Sequence, residues 1–326
     1  MKKALLLLLF PAVMSLVGCS GGSTIMNIAA TGKPYEIFVV TEKPVWNGVV
    51  GDSLRMVMDE EVLWLNQPES IFDLINITPP AFNDITRRHR NLMLINIEKG
   101  VDSTSMTITN DRWATGQVVM NMTSGSDSMA AEYISENAET LVEYLDMIEK
   151  NRMSVRAKRY NDSRVEQLIK DKFGFNMIFP RGYKVANDIT DFLWLIYDMP
   201  IASQGVVIYS FDKPEDGSKL NLVAERNRAV SQIPGPVDGS YMGTSVEFYP
   251  ESEPCEINGQ GWIETRGFWK VEGDWMGGPF INYVTYDSQS GRYIGIDLYV
   301  YSPSPKYPKR NYVRQLESLM LGVSFK

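Results

Sequence analysis

The sequence predicts an α+β protein of two sandwich-like units, each a mainly antiparallel sheet packed by helices. Three observations carry this expectation. Short apolar runs with strand alternation recur along the chain and are joined by turn-rich loops, not by regular helical crossovers. Each half also holds a long segment with one apolar stripe at helical spacing, suited to packing on a sheet. Finally, the pattern changes near Lys172, where a helix ends at Gly174 and a second series of strands begins. The expected organisation is a lipoprotein signal peptide over 1–18 and a lipidated cysteine with its tether over 19–32. An N-terminal α+β unit over 33–172 and a C-terminal α+β unit over 173–326 follow.

The first residues give the chain its address. Met1-Lys2-Lys3 is a positive start, and Ala4 to Val13 is an apolar run too short to span a bilayer. The run ends at Leu16-Val17-Gly18-Cys19, which reads as a lipobox with Cys19 as the lipidation site. One acyl chain anchors only marginally and several anchor firmly. The expected membrane partner is therefore reached through the lipid on Cys19. Ser20 to Thr24 is a Gly/Ser tether. No acidic residue follows Cys19 directly, which points to the cell envelope, at the outer membrane and facing the periplasm.

Along the body, Tyr35 to Val40 reads as a strand. Asp52 or Ser53 then caps a helix carrying Leu54, Val57, Met58, Val62 and Leu65. Leu92 to Ile97 is nearly continuous in apolar residues and is placed centrally. Thr104–Thr109 and Gln117–Met122 are two further strands. A long helix from Ser126 presents Ala130, Ile134, Ala138, Leu141, Leu145 and Ile148, then turns strongly basic from Arg152 to Arg164. Gly174 is placed as a C-terminal cap. The second half reads as strands at Phe175–Phe179, Asp191–Tyr197 and Val206–Phe211, and a helix at Leu220–Val230. Strands at Trp262–Val271, Phe280–Tyr286 and Tyr293–Tyr301 follow, then a helix at Arg310–Met320 and a short tail at Val323–Phe325.

The C-terminal half resembles the Mog1/PsbP type of sandwich, opening on a strand that ends in Pro180-Arg181-Gly182-Tyr183 and closing with a helix that runs into Ser324-Phe325. A wider resemblance rests on Gly32-Lys33-Pro34-Tyr35, Gly51 to Arg55, His89-Arg90-Asn91, Phe173-Gly174, Pro180 to Tyr183, Met276 to Phe280 and Lys309 to Glu317. These stretches are similar to the Bacteroidota lipoprotein family DUF4837, and together they cover nearly the whole mature chain. The resemblance implies a location and a fold and brings no activity.

Composition bounds the chemistry. The whole chain of 326 residues carries a net charge of −8; removing Lys2 and Lys3 leaves 30 basic against 40 acidic residues, or −10. That balance argues against nucleic acid as a partner. With Cys19 committed to lipid, Cys255 is the other of 2 cysteines, so no intramolecular disulfide can form and burial of its thiol is expected. His89 is the only histidine, too few for a histidine-rich zinc site. Neither a nucleophile elbow, a phosphate loop nor a dinucleotide fingerprint is present, and no cofactor or metal is expected.

Two candidate binding surfaces stand out. Arg87, Arg88, His89 and Arg90 form a compact cationic loop suited to a carboxylate or phosphate, against pairing with neighbours such as Asp84. Trp262, Trp275, Tyr293, Tyr299 and Tyr301 form a candidate aromatic face for a sugar or protein, against burial under a helix, the last helix being the expected cover. Met276-Gly277-Gly278-Pro279 reads as a turn. The functional expectation is a membrane-anchored, non-catalytic binding or assembly accessory whose partner is an envelope protein or glycan. The alternative is a hydrolase of envelope glycan using carboxylates among Glu264, Glu272, Asp274 and Asp297.

Overall fold

A computed structural model describes residues 28–214 and 220–325. The signal peptide, Cys19 and most of the tether lie outside the described residues. The fold is α+β, with seven helices and fifteen strands among the described residues, in mainly antiparallel sheets.

The N-terminal unit is built on a five-stranded sheet in the order β2-β1-β3-β5-β4. Its strands are β1 (Glu36–Val40), β2 (Asp73–Ile77), β3 (Asn91–Ile97), β4 (Ser105–Asn110) and β5 (Val118–Ser124). Asn91–Ile97 is central, as its continuous apolar run requires. Within this sheet three of four pairings are parallel, and only the β4–β5 hairpin is antiparallel. The parallel order follows from long connections. Two helices, α1 (Lys43–Trp46) and α2 (Val49–Met58), separate β1 from β2, which the sequence did not announce because Asp73-Leu74-Ile75-Asn76-Ile77 is short, polar at its start and lies at the sheet edge. The helix expected from Asp52 begins three residues earlier, and Asp52 sits in its first turn.

The long helix expected from Ser126 is two helices, α3 (Asp127–Glu136) and α4 (Ala138–Arg159), broken at Asn137. Ser126 caps the first, accepting from the Met129 N–H. Helices α2, α3 and α4 cover one face of the sheet: Leu54, Ala130, Ile134, Leu141 and Leu145 meet Ile37, Val39, Met93, Ile95 and Met120. α4 continues through the basic stretch to Arg159.

Helix α5 (Ser163–Phe173) ends on Gly174 at φ +80°, the left-handed cap read from the sequence. Val165, Ile169 and Phe173 on this helix pack into the C-terminal core. The main C-terminal sheet runs β10-β12-β13-β14-β9-β8-β7, antiparallel throughout, with β11 also on β12. Its strands are β7 (Lys184–Ile189), β8 (Phe192–Asp198), β9 (Ser203–Phe211), β10 (Tyr241–Thr244), β11 (Glu251–Ile257), β12 (Gln260–Glu272), β13 (Gly277–Asp287) and β14 (Arg292–Tyr301), and they curl into a half-barrel. The expected strand Phe175–Phe179 shortens to β6 (Asn176–Met177), which pairs with β15 (Val323–Ser324) at the chain's end.

Both faces of the C-terminal sheet are covered. Helix α7 (Arg310–Met320) and α5 lie on the aliphatic face, with Val313, Leu316 and Leu319 against Ile294, Ile296 and Leu298. Helix α6 (Leu222–Val230) lies on the opposite face, with Ala229 and Val230 against Tyr209, Trp269 and Tyr299.

The two units meet through α4 and α7. Tyr35 Oη donates to Asp146 Oδ1 at 2.8 Å. Lys150 bridges Asp146 at 2.8 Å and Glu317 at 3.3 Å. Arg314 and Arg266 both close on Glu317, at 2.9 and 2.6 Å. Beside this network, Arg310 holds Asp73 at 2.8 Å. The Glu69 carboxylate accepts the backbone N–H groups of Lys309 and Arg310 at 2.7 and 2.8 Å. Lys309 offers no side-chain cap of its own, so a residue of one unit caps a helix of the other.

Candidate functional site

The structure divides the cationic loop. His89 is only 2% exposed; its ring stacks on Phe38 at 3.8 Å, with its nitrogens against the Asn91 carbonyl and the Glu36 carboxylate. Gly32, at φ +102°, makes room for that ring, because a Cβ there would stand 2.2 Å from His89 Nε2. Arg90 turns inward to Glu149 at 3.0 Å, alongside Arg152 at 2.7 Å. Arg87 reaches Asp84 at 3.0 Å, the neighbour weighed from the sequence. Arg88 has no acidic partner among the described residues. The four side chains therefore do not form one surface: two hold the fold and two face solvent.

The aromatic face is divided as well. Trp262 lies in the aliphatic-side core with Ile281 and Tyr283. Tyr293, Tyr299 and Tyr301 point to the other side, where Tyr299 is buried and accepts from Trp194 Nε1 at 2.9 Å. Trp275 is fully exposed and stands apart. The cover over the tyrosines is α6, not the last helix, which lies on the aliphatic side. Alternation along β14 places these residues on opposite faces correctly, but it cannot say which helix lands on which. The gap at Gly295 is filled by the Tyr209 ring, 2.2 Å from where a Cβ would stand. Gly277, Gly278 and Pro279 belong to β13 and pack against Trp269 and the Val300 carbonyl; they do not form a ligand loop.

The carboxylates are likewise dispersed. Asp297 is buried in a double contact with Arg226, at 2.6 and 3.1 Å. Glu272 pairs with Lys270, and the Asp274 carboxylate accepts the Met276 N–H. Glu264 pairs with Arg266 and lines a cleft of about 380 Å³ together with Glu60, Glu61, Glu251 and Glu253. The arginines Arg266 and Arg314 also line this cleft.

Cys255 sits on edge strand β11, half-buried against the core and not enclosed by it. Burial, then the charges of Glu264 and Glu253, push its thiol up to about 11. That is about a hundredfold less thiolate near neutral pH than a free cysteine of pKa about 8.5–9. Alkylation by iodoacetamide should accordingly be slow at pH 7.5 and keep accelerating up to about pH 11; a rate that levels off near pH 8.5 would contradict this environment.

What the sequence did not show is a groove of about 350 Å³ between the units. Its walls are the end of α4, the turn at residues 180–183, and α7. Tyr160, Tyr183, Tyr197 and Tyr312 supply rings, and Arg156 and Arg181 supply guanidiniums. Gln204 supports α7 here, donating to the Tyr312 carbonyl at 2.9 Å. Arg181 gives one N–H to the Asn161 carbonyl at 3.0 Å, and neither arginine meets a carboxylate among the described residues. The volume is within the usual range for a small-molecule site.

Comparison with known families divides the chain where its cores divide. Residues 161–321 match DUF4837, a domain of unknown function. Over those residues the C-terminal unit is similar to this family. Residues 30–158 match a second domain of unknown function, DUF8532. The resemblance read across nearly the whole mature chain is thus confined to the C-terminal stretches, and Gly32 to Tyr35, Gly51 to Arg55 and His89 to Asn91 fall in DUF8532. No curated protein matches the chain. The groove lies between the two: Tyr183, Tyr197 and Tyr312 come from the DUF4837 part and Arg156 from the DUF8532 part. Among the described residues no helix is long and apolar enough to cross a membrane.

Proposed function

We propose that this protein is a membrane-anchored, non-catalytic binding accessory of the cell envelope, tethered through Cys19, and that its inter-unit groove takes an acidic glycan segment. The observation that carries this reading is the pairing of tyrosine rings, those of Tyr160, Tyr197 and Tyr312 being partly or fully exposed, with two arginines that meet no carboxylate among the described residues. Flat rings suit the apolar faces of sugars. Guanidiniums without acidic partners suit sugar carboxylates, which they can take in a forked contact.

Calorimetric titration of the full chain with soluble, carboxylate-bearing envelope glycan fragments tests the proposal. Arg156→Ala and Arg181→Ala should each weaken binding about tenfold or more, as expected for loss of a hydrogen bond to a charged group. Equal affinity in wild type and both variants would remove the groove from consideration. The cleft with Glu264 favours a second reading, a carboxylate hydrolase of the same glycan. Release of new reducing ends by wild type, lost in Glu264→Gln, would put that reading first.

A further inference from the structure

The chain enters the folded body at one end of the N-terminal sheet. Strands β1, β3 and β5 are parallel and all begin there, at Glu36, Asn91 and Val118, and β4 ends there at Asn110. The first described residues are stitched between the loops of that end. Thr115 N–H donates to the Ile28 carbonyl at 2.8 Å, and Thr31 N–H to the Arg88 carbonyl at 2.9 Å. Eight residues, Ser20 to Asn27, separate Ile28 from Cys19. Even fully extended they reach only about 30 Å.

This end has a distinctive surface for a chain of net charge −8. Ile85 is 78% exposed. Trp113 is half-buried, edge-on to Phe82 at 5.6 Å, with the Arg112 guanidinium 4.3 Å from its ring centre. Arg88 and Arg112 have no acidic partners among the described residues, and Arg87 has only exposed Asp84. The other local acids are engaged: Asp111 accepts the Gly116 and Gln117 N–H groups, Glu149 holds Arg90 and Arg152, and Glu36 faces His89. Arg152 donates to the Arg90 carbonyl. The last turns of α4, with Arg156 and Arg159, therefore project past the same end of the sheet.

We infer that this end of the N-terminal unit seats on an anionic lipid surface, with Ile85 and Trp113 entering the headgroup region and Arg87, Arg88 and Arg112 contacting lipid phosphates. Tryptophan and arginine are the side chains that suit that boundary, one end apolar and the other wet. A short tether leaving from the middle of this patch brings it to the bilayer before any other part of the body. That geometry rests on the anchoring reading, whereas the patch chemistry does not.

The test is quenching of tryptophan fluorescence in the full chain by vesicles of brominated phosphatidylglycerol, with brominated phosphatidylcholine as the neutral comparison. Trp113→Phe should lose most of the quenching, and Trp275→Phe, at the fully exposed tryptophan of the other unit, should lose none. Arg87→Ala/Arg88→Ala/Arg112→Ala, at surface positions, should fall roughly thirtyfold or more in vesicle affinity when the chain is not acylated, and lose Trp113 quenching when it is. Quenching that survives in Trp113→Phe, vanishes in Trp275→Phe, or is equal on both lipids would overturn the inference. Acylation is read independently from the mass of the N-terminal peptide, so failure of the anchor and failure of the seat give different results.

Discussion

Replacing Glu317 by alanine is expected to destabilise the protein by about 3–5 kcal/mol and to loosen the two units from each other. Glu317 is buried and faces three cations, Arg314, Lys150 and Arg266. Removing its charge leaves those cations close together with little water to screen them. Arg266 retains Glu264, and Lys150 and Arg314 retain Asp146, so the network would be left short of negative charge but not empty of it. Urea unfolding followed by two probes, one in each unit, should show a single transition in wild type and two in Glu317→Ala.

Acid should reproduce part of this effect. Burial alone would push the Glu317 carboxyl up, but Arg314, Lys150 and Arg266 outweigh it and hold the group well below the usual carboxylate range. A carboxyl depressed on folding stabilises fully above its unfolded value, about 4.3. That contribution is lost as pH falls from there through the lower folded value. Wild type should lose stability below about pH 4 more steeply than Glu317→Gln, which has no such proton to take up. Parallel pH profiles for the two proteins would show that the network does not couple folding to protonation.

The second large effect is expected at Asp297. It is fully buried, and Arg226, 1% exposed, closes on it through two nitrogens while lying 3.5 Å from the Phe280 ring centre. Asp297→Ala should cost about 3–5 kcal/mol, because the guanidinium is left without its charge partner under α6. Replacing both partners, as Arg226→Met/Asp297→Leu, should recover most of that loss. Thr244 and Asn282, the pair's neighbours, would keep other bonds, to Asn227 and Tyr209. A double-mutant cycle in urea measures the coupling. If the double variant is as unstable as Asp297→Ala, the pair contributes through packing geometry and not through its charges.

Much of the fold was legible because single elements announce themselves. Strand β14 alternates cleanly, α7 was located to its ends, and Gly174 marks the cap of α5. Strands β2, β7, β10 and β11, the last carrying Cys255, were not legible. They are short or polar edge strands. The parallel order of the first sheet escaped for a related reason: alternation shows that a strand exists but not the direction of its partner. The candidate surfaces suffered most. Basic residues two apart in sequence, Arg88 and Arg90, face solvent and core respectively. Residues that do share a surface, Arg156 and Tyr312, lie in different units. Arg181, Tyr183 and Tyr312 fell within stretches singled out by resemblance, but nothing local in those stretches says that they converge.

The carboxylate of Glu69 precedes by 240 residues the helix start that it caps. Made in order from its first residue, the chain completes its closing helix only by bringing tail back to head. Until then only α5 covers the aliphatic face of the second sheet. The two domains are therefore less like beads on a string than like a buckle and its strap. A chain clipped before residue 309, or a rearrangement that parted the domains, would lose the fastening as well as the piece removed.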